Sequence, residues 1–141
     1  MNSSPTSIRV NLSPLNNYEI IVGQNILDDC GKKIAELLSL QRCVIISDSN
    51  VAPLYAKQVQ QSLHSAGMKS DQVTVPAGES SKSLSQVEEI CRNMIVAGHD
   101  RHSFVIALGG GVIGDLAGLV ASVFYRGIPL IQIPTTIVSQ V

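Results

Sequence analysis

Charge is scarce in this sequence. Only 15% of its 141 residues are Asp, Glu, Lys or Arg, against 45% apolar residues, where about 25% charge is usual. That balance excludes a disordered chain and a coiled coil. It also leaves a surface so apolar that part of it must be meant for another domain, a subunit or a ligand. No run of Lys or Arg is present, and ten basic against eleven acidic residues give a net charge of −1. Nothing can therefore track a phosphate backbone, and nucleic acid is excluded as the expected partner. A long lipid-facing run is lacking too. The nearest approach, residues 104–127, is interrupted by Asp115, Arg126 and a glycine cluster, whereas a membrane helix needs about 20 consecutive apolar residues. Residues 1–5 have no basic start leading into an apolar stretch, so no signal peptide is read and the cytoplasm is the expected location. Cys30, Cys43 and Cys91 are odd in number, far apart and set in apolar periodic segments, which predicts reduced buried thiols and no disulfide framework.

At 15.0 kDa the chain is the size of one domain, and area scaling lets it bury about two-thirds of its extended surface. Alternating Ile8, Val10 and Leu12, then Asn16-Asn17 and the run 18–22, predict a β-hairpin, placed at the edge of the sheet. Leu27, Cys30, Ile34, Leu37 and Leu38 share a helical face, so a helix is predicted from an Asn25 N-cap to about Leu40, with Asp28 and Asp29 in its first turn. Strand and helix then alternate. Strands are predicted near 42–47, 72–76, 104–108 and 129–133. Helices are predicted from Pro53, with Tyr55, Val59, Leu63 and Ala66 inward; from a Ser83–Gln86 capping box to Gly98, with Leu84, Val87, Ile90, Cys91, Met94 and Ile95 inward; and over 112–125 as a buried helix. This is an α/β pattern: a Rossmann-like parallel sheet flanked by helices, with an N-terminal hairpin. Residues 135–141 read as the first turns of a further helix, as if the chain stopped inside an element.

Ligands of open α/β sheets bind beyond the carboxyl ends of the strands, and there the polar residues of this chain collect. Gly109, Gly111 and Gly114 form G-x-G-x-x-G directly after a strand and at a helix start, where bare N–H groups can hold a pyrophosphate or the glycines can simply permit tight packing. No acid follows Asp115 for a ribose; Asp48, after the first parallel strand, is the available one. Asp115 lies in an apolar helix and calls for a partner in the cleft or for the helix dipole. Glu79 and Lys82 form a solvated pair or meet a ligand, and Thr135 and Thr136 cap a helix or bond a ligand. Arg126 is a helix-end cation or an anion site. His99 and His102 read as solvated loop residues more readily than as H-x-x-H metal ligands, and His64 has no companion.

The segments GGGVIGDLAGLVASVFYRG and IPTT, preceded by PAGESSKS and SDSNV, resemble the N-terminal domain of 3-dehydroquinate synthases, within the sugar-phosphate cyclases. A glycine-rich loop ending in Asp is shared with the wider glycerol and iron-dependent alcohol dehydrogenase superfamily. The resemblance implies that residues 1–141 are one NAD-binding domain. It implies an enzyme that converts 3-deoxy-D-arabino-heptulosonate 7-phosphate, a phosphorylated sugar acid, to 3-dehydroquinate and phosphate in the shikimate pathway, working as a cytoplasmic homodimer with NAD and a divalent metal, zinc or cobalt. Carried over by position, Asp48 and Asn50 would meet the adenosine end of NAD, and Ala77, Gly78, Glu79, Ser80, Ser81 and Lys82 the ribose region. Gly110, Gly111, Val112, Ile113 and Gly114 would hold the pyrophosphate; Asp115, Thr135 and Thr136 the nicotinamide ribose; and Arg126 the substrate, at a subunit boundary. The metal ligands and a helical C-terminal domain are expected to follow Val141, so the fragment alone is expected to be inactive. A metal-dependent polyol dehydrogenase and a stand-alone nucleotide-binding module are the competing readings.

Overall fold

In the computed structural model, which describes residues 4–13 and 16–140, two apolar runs sit back to back at the centre. They are β3, Arg42–Asp48, and β5, Ser103–Gly109, which is buried along its whole length. Runs with no polar alternation suit strands covered on both faces. With β4, Lys69–Val75, and β6, Leu130–Pro134, they form a four-stranded sheet of order β4-β3-β5-β6, every pair parallel. All four strands fall where the apolar runs predict. β4 starts three residues early, because Lys69 and Ser70 pair with Arg42 and Cys43 despite their polarity.

One face of the sheet carries α1, Cys30–Leu37, and α2, Ala52–Ser65, around Ile34, Cys43, Ile45, Val59, Leu63, Phe104 and Ile106. The other carries α3, Leu84–Val96, and α4, Gly111–Val123, around Val44, Ile46, Ile90, Met94, Val105, Leu116 and Val120. Pro53 stands in the first turn of α2. Ser83 caps α3 by accepting from the Gln86 N–H at 3.2 Å, and Gly98 stops it at φ +81°. The three cysteines are free thiols, and burial pushes Cys43 up to about 12.

Several expectations need correction. The hairpin, β1 Thr6–Ser13 and β2 Asn16–Val22, is an antiparallel two-stranded sheet of its own and not an edge of the parallel one. The first helix begins at Cys30 and ends at Leu37. Asn25 has φ 56°, a left-handed conformation, whereas an N-cap residue is extended. Packing on α2 decides this segment. The Asp28 carboxylate takes a hydrogen bond from Gln58 at 2.7 Å and its carbonyl one from Ser62, and a Cβ on Gly31 would lie 2.2 Å from the Ser62 carbonyl oxygen. Tyr55 faces outward, Ala56 taking its place in the core, and Leu84 and Ile95 are exposed. The 112–125 segment is helical only to Val123, and Leu119 and Val123 on it are exposed. Residues Val138–Gln140 make one 3-10 turn; Val141 and residues 1–3, part of the stretch read for a signal peptide, lie outside the described residues.

Candidate cofactor-binding rim

The chain leaves β3 toward β4 on one side and reaches β5 on the other, so the strand order reverses between β3 and β5. A crevice opens at such a switch point beyond the carboxyl ends of the strands. Asp48 and Gly109 end the two strands that border it. One Asp48 carboxylate oxygen accepts from the N–H groups of Asn50 and Val51, at 2.8 and 2.9 Å. It therefore shapes the turn into α2 besides presenting an acid to the rim. Ser49 ties this turn to the next, accepting from the Ala77 N–H at 3.1 Å.

The loop after β4 turns at Gly78, φ +111°, into a one-turn 3-10 segment, Glu79–Ser81. Ser81 is buried, and its hydroxyl donates to the Pro76 carbonyl, so it holds the loop from inside. Lys82 leans across to α4. Its Nζ is 2.6 Å from Asp115 Oδ2 and 4.0 Å from Glu79 Oε2. The Asp115 hydrogen bond and charge, then Glu79, hold the Lys82 ammonium above its ordinary range. Of the alternatives read for these residues, Glu79 and Lys82 pair in solvent and Asp115 has a partner, Lys82, at the cleft. Asp115 stands in the second turn of α4, past the first turn where the dipole is strongest.

The glycines divide by what surrounds them. A Cβ on Gly109 would lie 2.7 Å from Ile113, and one on Gly110 3.0 Å from Thr136 Cγ2. Those two serve packing. A Cβ on Gly111 would meet nothing within 4 Å, although Gly111 is the first residue of α4 and no side chain caps that end. Gly111 is exposed and Val112 half-buried, so the start of α4 is open to an approaching anion at Gly111, although Ile113 is buried. The β6 loop closes the far side. The Thr135 N–H donates to the Gly109 carbonyl at 2.9 Å, while the Thr135 hydroxyl is buried without a partner. The Thr136 and Ser139 hydroxyls are 2.8 Å apart, and Thr136 caps the 3-10 turn. Gln132, unremarked in the sequence although it interrupts an apolar run, places Oε1 3.1 Å from a Cβ position on Gly114.

The rim thus gathers Asp48, Asn50, residues 77–82, the glycine loop with Asp115, and Thr135-Thr136. Arg126 is elsewhere. It follows the far end of the 13-residue α4, about 20 Å along the axis from the glycine loop, in a left-handed conformation beyond the helix's last turn. His99, read as solvated, is buried. Its Nδ1 is 3.1 Å from Ser103 Oγ, and its Nε2 is 3.0 Å from Asp71 Oδ2 without hydrogen-bond alignment. Arg42 reaches the same carboxylate oxygen at 3.2 Å. Burial first, then the Arg42 charge, hold the His99 imidazole below its ordinary range, against the pull of Asp71. Among the described residues no three His, Cys, Asp or Glu side chains stand together as a metal would require.

The sequence model of the 3-dehydroquinate synthase N-terminal domain matches residues 72–141. Curated relatives include the 3-dehydroquinate synthases of Symbiobacterium thermophilum, 47% identical over 125 residues and 88% of this chain, and of Rhizobium johnstonii, 40% identical over 141 residues and 99% of it. This chain spans 35% and 38% of those two proteins, little more than a third of each. Among solved structures, 2-deoxy-scyllo-inosose synthase complexed with carbaglucose-6-phosphate, NAD+ and Co2+ superposes with TM-score 0.86 at 25% identity, over 95% of this chain and 36% of that one. The 2-epi-5-epi-valiolone synthase of Streptomyces hygroscopicus, with NAD+ and Zn2+ bound, gives 0.69 at 30%, over 92% and 35%. Glycerol dehydrogenase from Schizosaccharomyces pombe shares the fold at TM-score 0.63, 20% identity, over 77% and 25%. By the matching model and these identities, this chain belongs to the 3-dehydroquinate synthase family, its residues 72–141 matching the model of that family's N-terminal domain.

Proposed function

We propose that the chain is the NAD-binding part of a 3-dehydroquinate synthase, the enzyme that converts 3-deoxy-D-arabino-heptulosonate 7-phosphate to 3-dehydroquinate and phosphate. The observation that carries the reading is the fit of the rim to a dinucleotide: an uncapped helix start open over Gly111 beside a buried, partnerless Thr135 hydroxyl. Bound there, NAD would supply reversible hydride transfer at a ring hydroxyl of the substrate. The N–H groups of Gly111, Val112 and Ile113 would take the pyrophosphate. Asp48 and Asn50 would border the adenosine, and residues 77–82 its ribose region. Lys82 braces Asp115, leaving that carboxylate oriented toward the nicotinamide ribose with Thr135 and Thr136 beside it. The relatives solved with cobalt or zinc support a divalent metal in the intact enzyme. On this reading the metal's ligands and a helical second domain would lie in the part of the relatives' length that this chain does not span, and the chain by itself would be inactive.

The intact enzyme is read as a cytoplasmic homodimer of the shikimate pathway. Its subunit contact is where Arg126, remote from its own glycine loop, would serve the phosphorylated substrate. Calorimetric titration tests the core of the reading. NAD should bind the chain, and Gly111→Val should weaken binding at least tenfold with the fold intact, since the added Cβ meets no protein atom. Equal affinity in the variant would reject the assigned loop. Phosphate release from the heptulosonate phosphate, with NAD and zinc present, should stay at the buffer rate; turnover abolished by Asp115→Asn would show that this part carries the chemistry itself.

A further inference from the structure

Serine hydroxyls tie the end of β3 to both of its neighbours, and the two ties differ in kind. On the β5 side the buried Ser47 hydroxyl donates to the Leu108 carbonyl at 2.7 Å, at the last pair of the β3–β5 register. The floor of the crevice is thereby fixed. On the β4 side the exposed Ser49 reaches one residue past the strand. Its N–H donates to the Val75 carbonyl at 3.0 Å, and its hydroxyl oxygen accepts from the Ala77 N–H at 3.1 Å. Pro76 has no N–H, so Ala77 supplies the first backbone donor after β4, and Ser49 takes it. Among the described residues, side chains from outside the 76–82 loop reach it at Ala77, through Ser49, and at Lys82, through Asp115. Between those anchors lies Gly78, at φ +111° and with nothing within 4 Å of a Cβ position, so no side chain braces the backbone there.

We propose that Ser49 is a positioning residue for NAD: by holding Ala77 it keeps residues 77–82, with Lys82 on Asp115, in the arrangement that the dinucleotide meets. The inference rests on the NAD reading above and adds a residue outside the set carried over from the family. In that reading Asp48 and Asn50 border the adenosine; Ser49, between them, bonds to the neighbouring loop. An apparent dissociation constant is the intrinsic one divided by the fraction of molecules already in the competent arrangement. One hydrogen bond between loops shifts such a fraction by roughly threefold to tenfold. Its loss falls on the loop, because Ser47 and the strand pairings hold the sheet below.

Calorimetric titration of Ser49→Ala with NAD should show affinity roughly threefold to tenfold below that of the wild-type chain, at an unmoved urea midpoint. Ser49→Thr, which keeps an acceptor oxygen, should restore it. Combined with Lys82→Met, the losses should be less than additive, since a loop released at Ala77 no longer presents Lys82 to Asp115. Without NAD, amide exchange at Ser81 and Lys82, whose N–H groups bond within the loop, should quicken in S49A. Unchanged affinity or exchange in S49A, a loss that S49T leaves in place, additive losses with K82M, or a lowered midpoint would each overturn the positioning role and leave the NAD site standing. A wild-type chain that does not bind NAD would overturn the NAD reading and this role together.

Discussion

Lys82 has no packing duty that would explain its position. It is exposed, joined to Asp115 across 33 residues of sequence and to Glu79 within its own loop, and exposed ion pairs of this kind add little to stability. Lys82→Met is therefore expected to leave the urea midpoint where it is and to weaken NAD binding several-fold by releasing Asp115; a shifted midpoint with unchanged affinity would make the bridge structural. His99 behaves in the opposite way. Burial and Arg42 hold its imidazole below the ordinary 6.5, so between that value and the depressed folded one the unfolded chain binds a proton that the folded chain refuses. Stability is then complete above about pH 6.5 and falls as pH drops below it. Thermal melts from pH 7.5 to 5 should show this decline, and His99→Gln should flatten it. For Asp115 the sequence pointed to either a cleft partner or the helix dipole, because a carboxylate in an apolar helix needs one of them. It carried no such signal for His99, whose charged neighbours Arg42 and Asp71 are distant in sequence and brought together by the pairing of β3 with β4.

The two central strands were legible because parallel strands covered on both faces leave unbroken apolar runs, as at 43–46 and 104–108, whereas the polar start of the edge strand β4, Lys69 and Ser70, was not. Helix boundaries were less so. The start of α1 is fixed by the approach of Gly31 to α2, a tertiary contact that capping patterns do not encode. The end of α4 is fixed by Tyr125, Arg126 and Gly127, all at positive φ, 47°, 68° and 117°. A left-handed conformation costs a non-glycine residue roughly 1–2 kcal/mol, and two adjacent ones persist only where the surroundings impose them. Here Phe124 is buried with its ring 5.0 Å from that of Tyr125, edge to face, and the Ile128 N–H reaches back to the Ala121 carbonyl. Arg126→Gly should relieve strain and cost no stability, gaining up to about 1 kcal/mol in urea unfolding. A loss of that size would mean that the arginine side chain stabilises the turn.

The whole molecule reads as a structure with surfaces left over. Low charge announced this in the sequence without placing it: uncovered apolar residues lie on the β1–β2 ribbon, on α4 at Leu119 and Val123, at Ile137 and Val138 after β6, and also at Leu37, Leu54, Leu84, Ile95 and Val96. The hairpin's independence was not legible, because alternation shows that a strand has an apolar face without showing what packs on it. The rim was legible as a set of segments, since a parallel sheet sends all its strand ends to one side; Gln132 and the inward role of Ser81 were not, being set by contacts between loops. NAD is proposed to bind one contiguous rim at the β3/β5 switch point. Backbone amide shift mapping of the isotope-labelled chain during NAD titration tests it most directly. The account predicts saturable shifts at 48–51, 77–82, 109–115 and 135–136, with the His64 side of α2 and the β1–β2 ribbon unmoved. Shifts confined to residues outside that rim, or none at millimolar NAD, would contradict it.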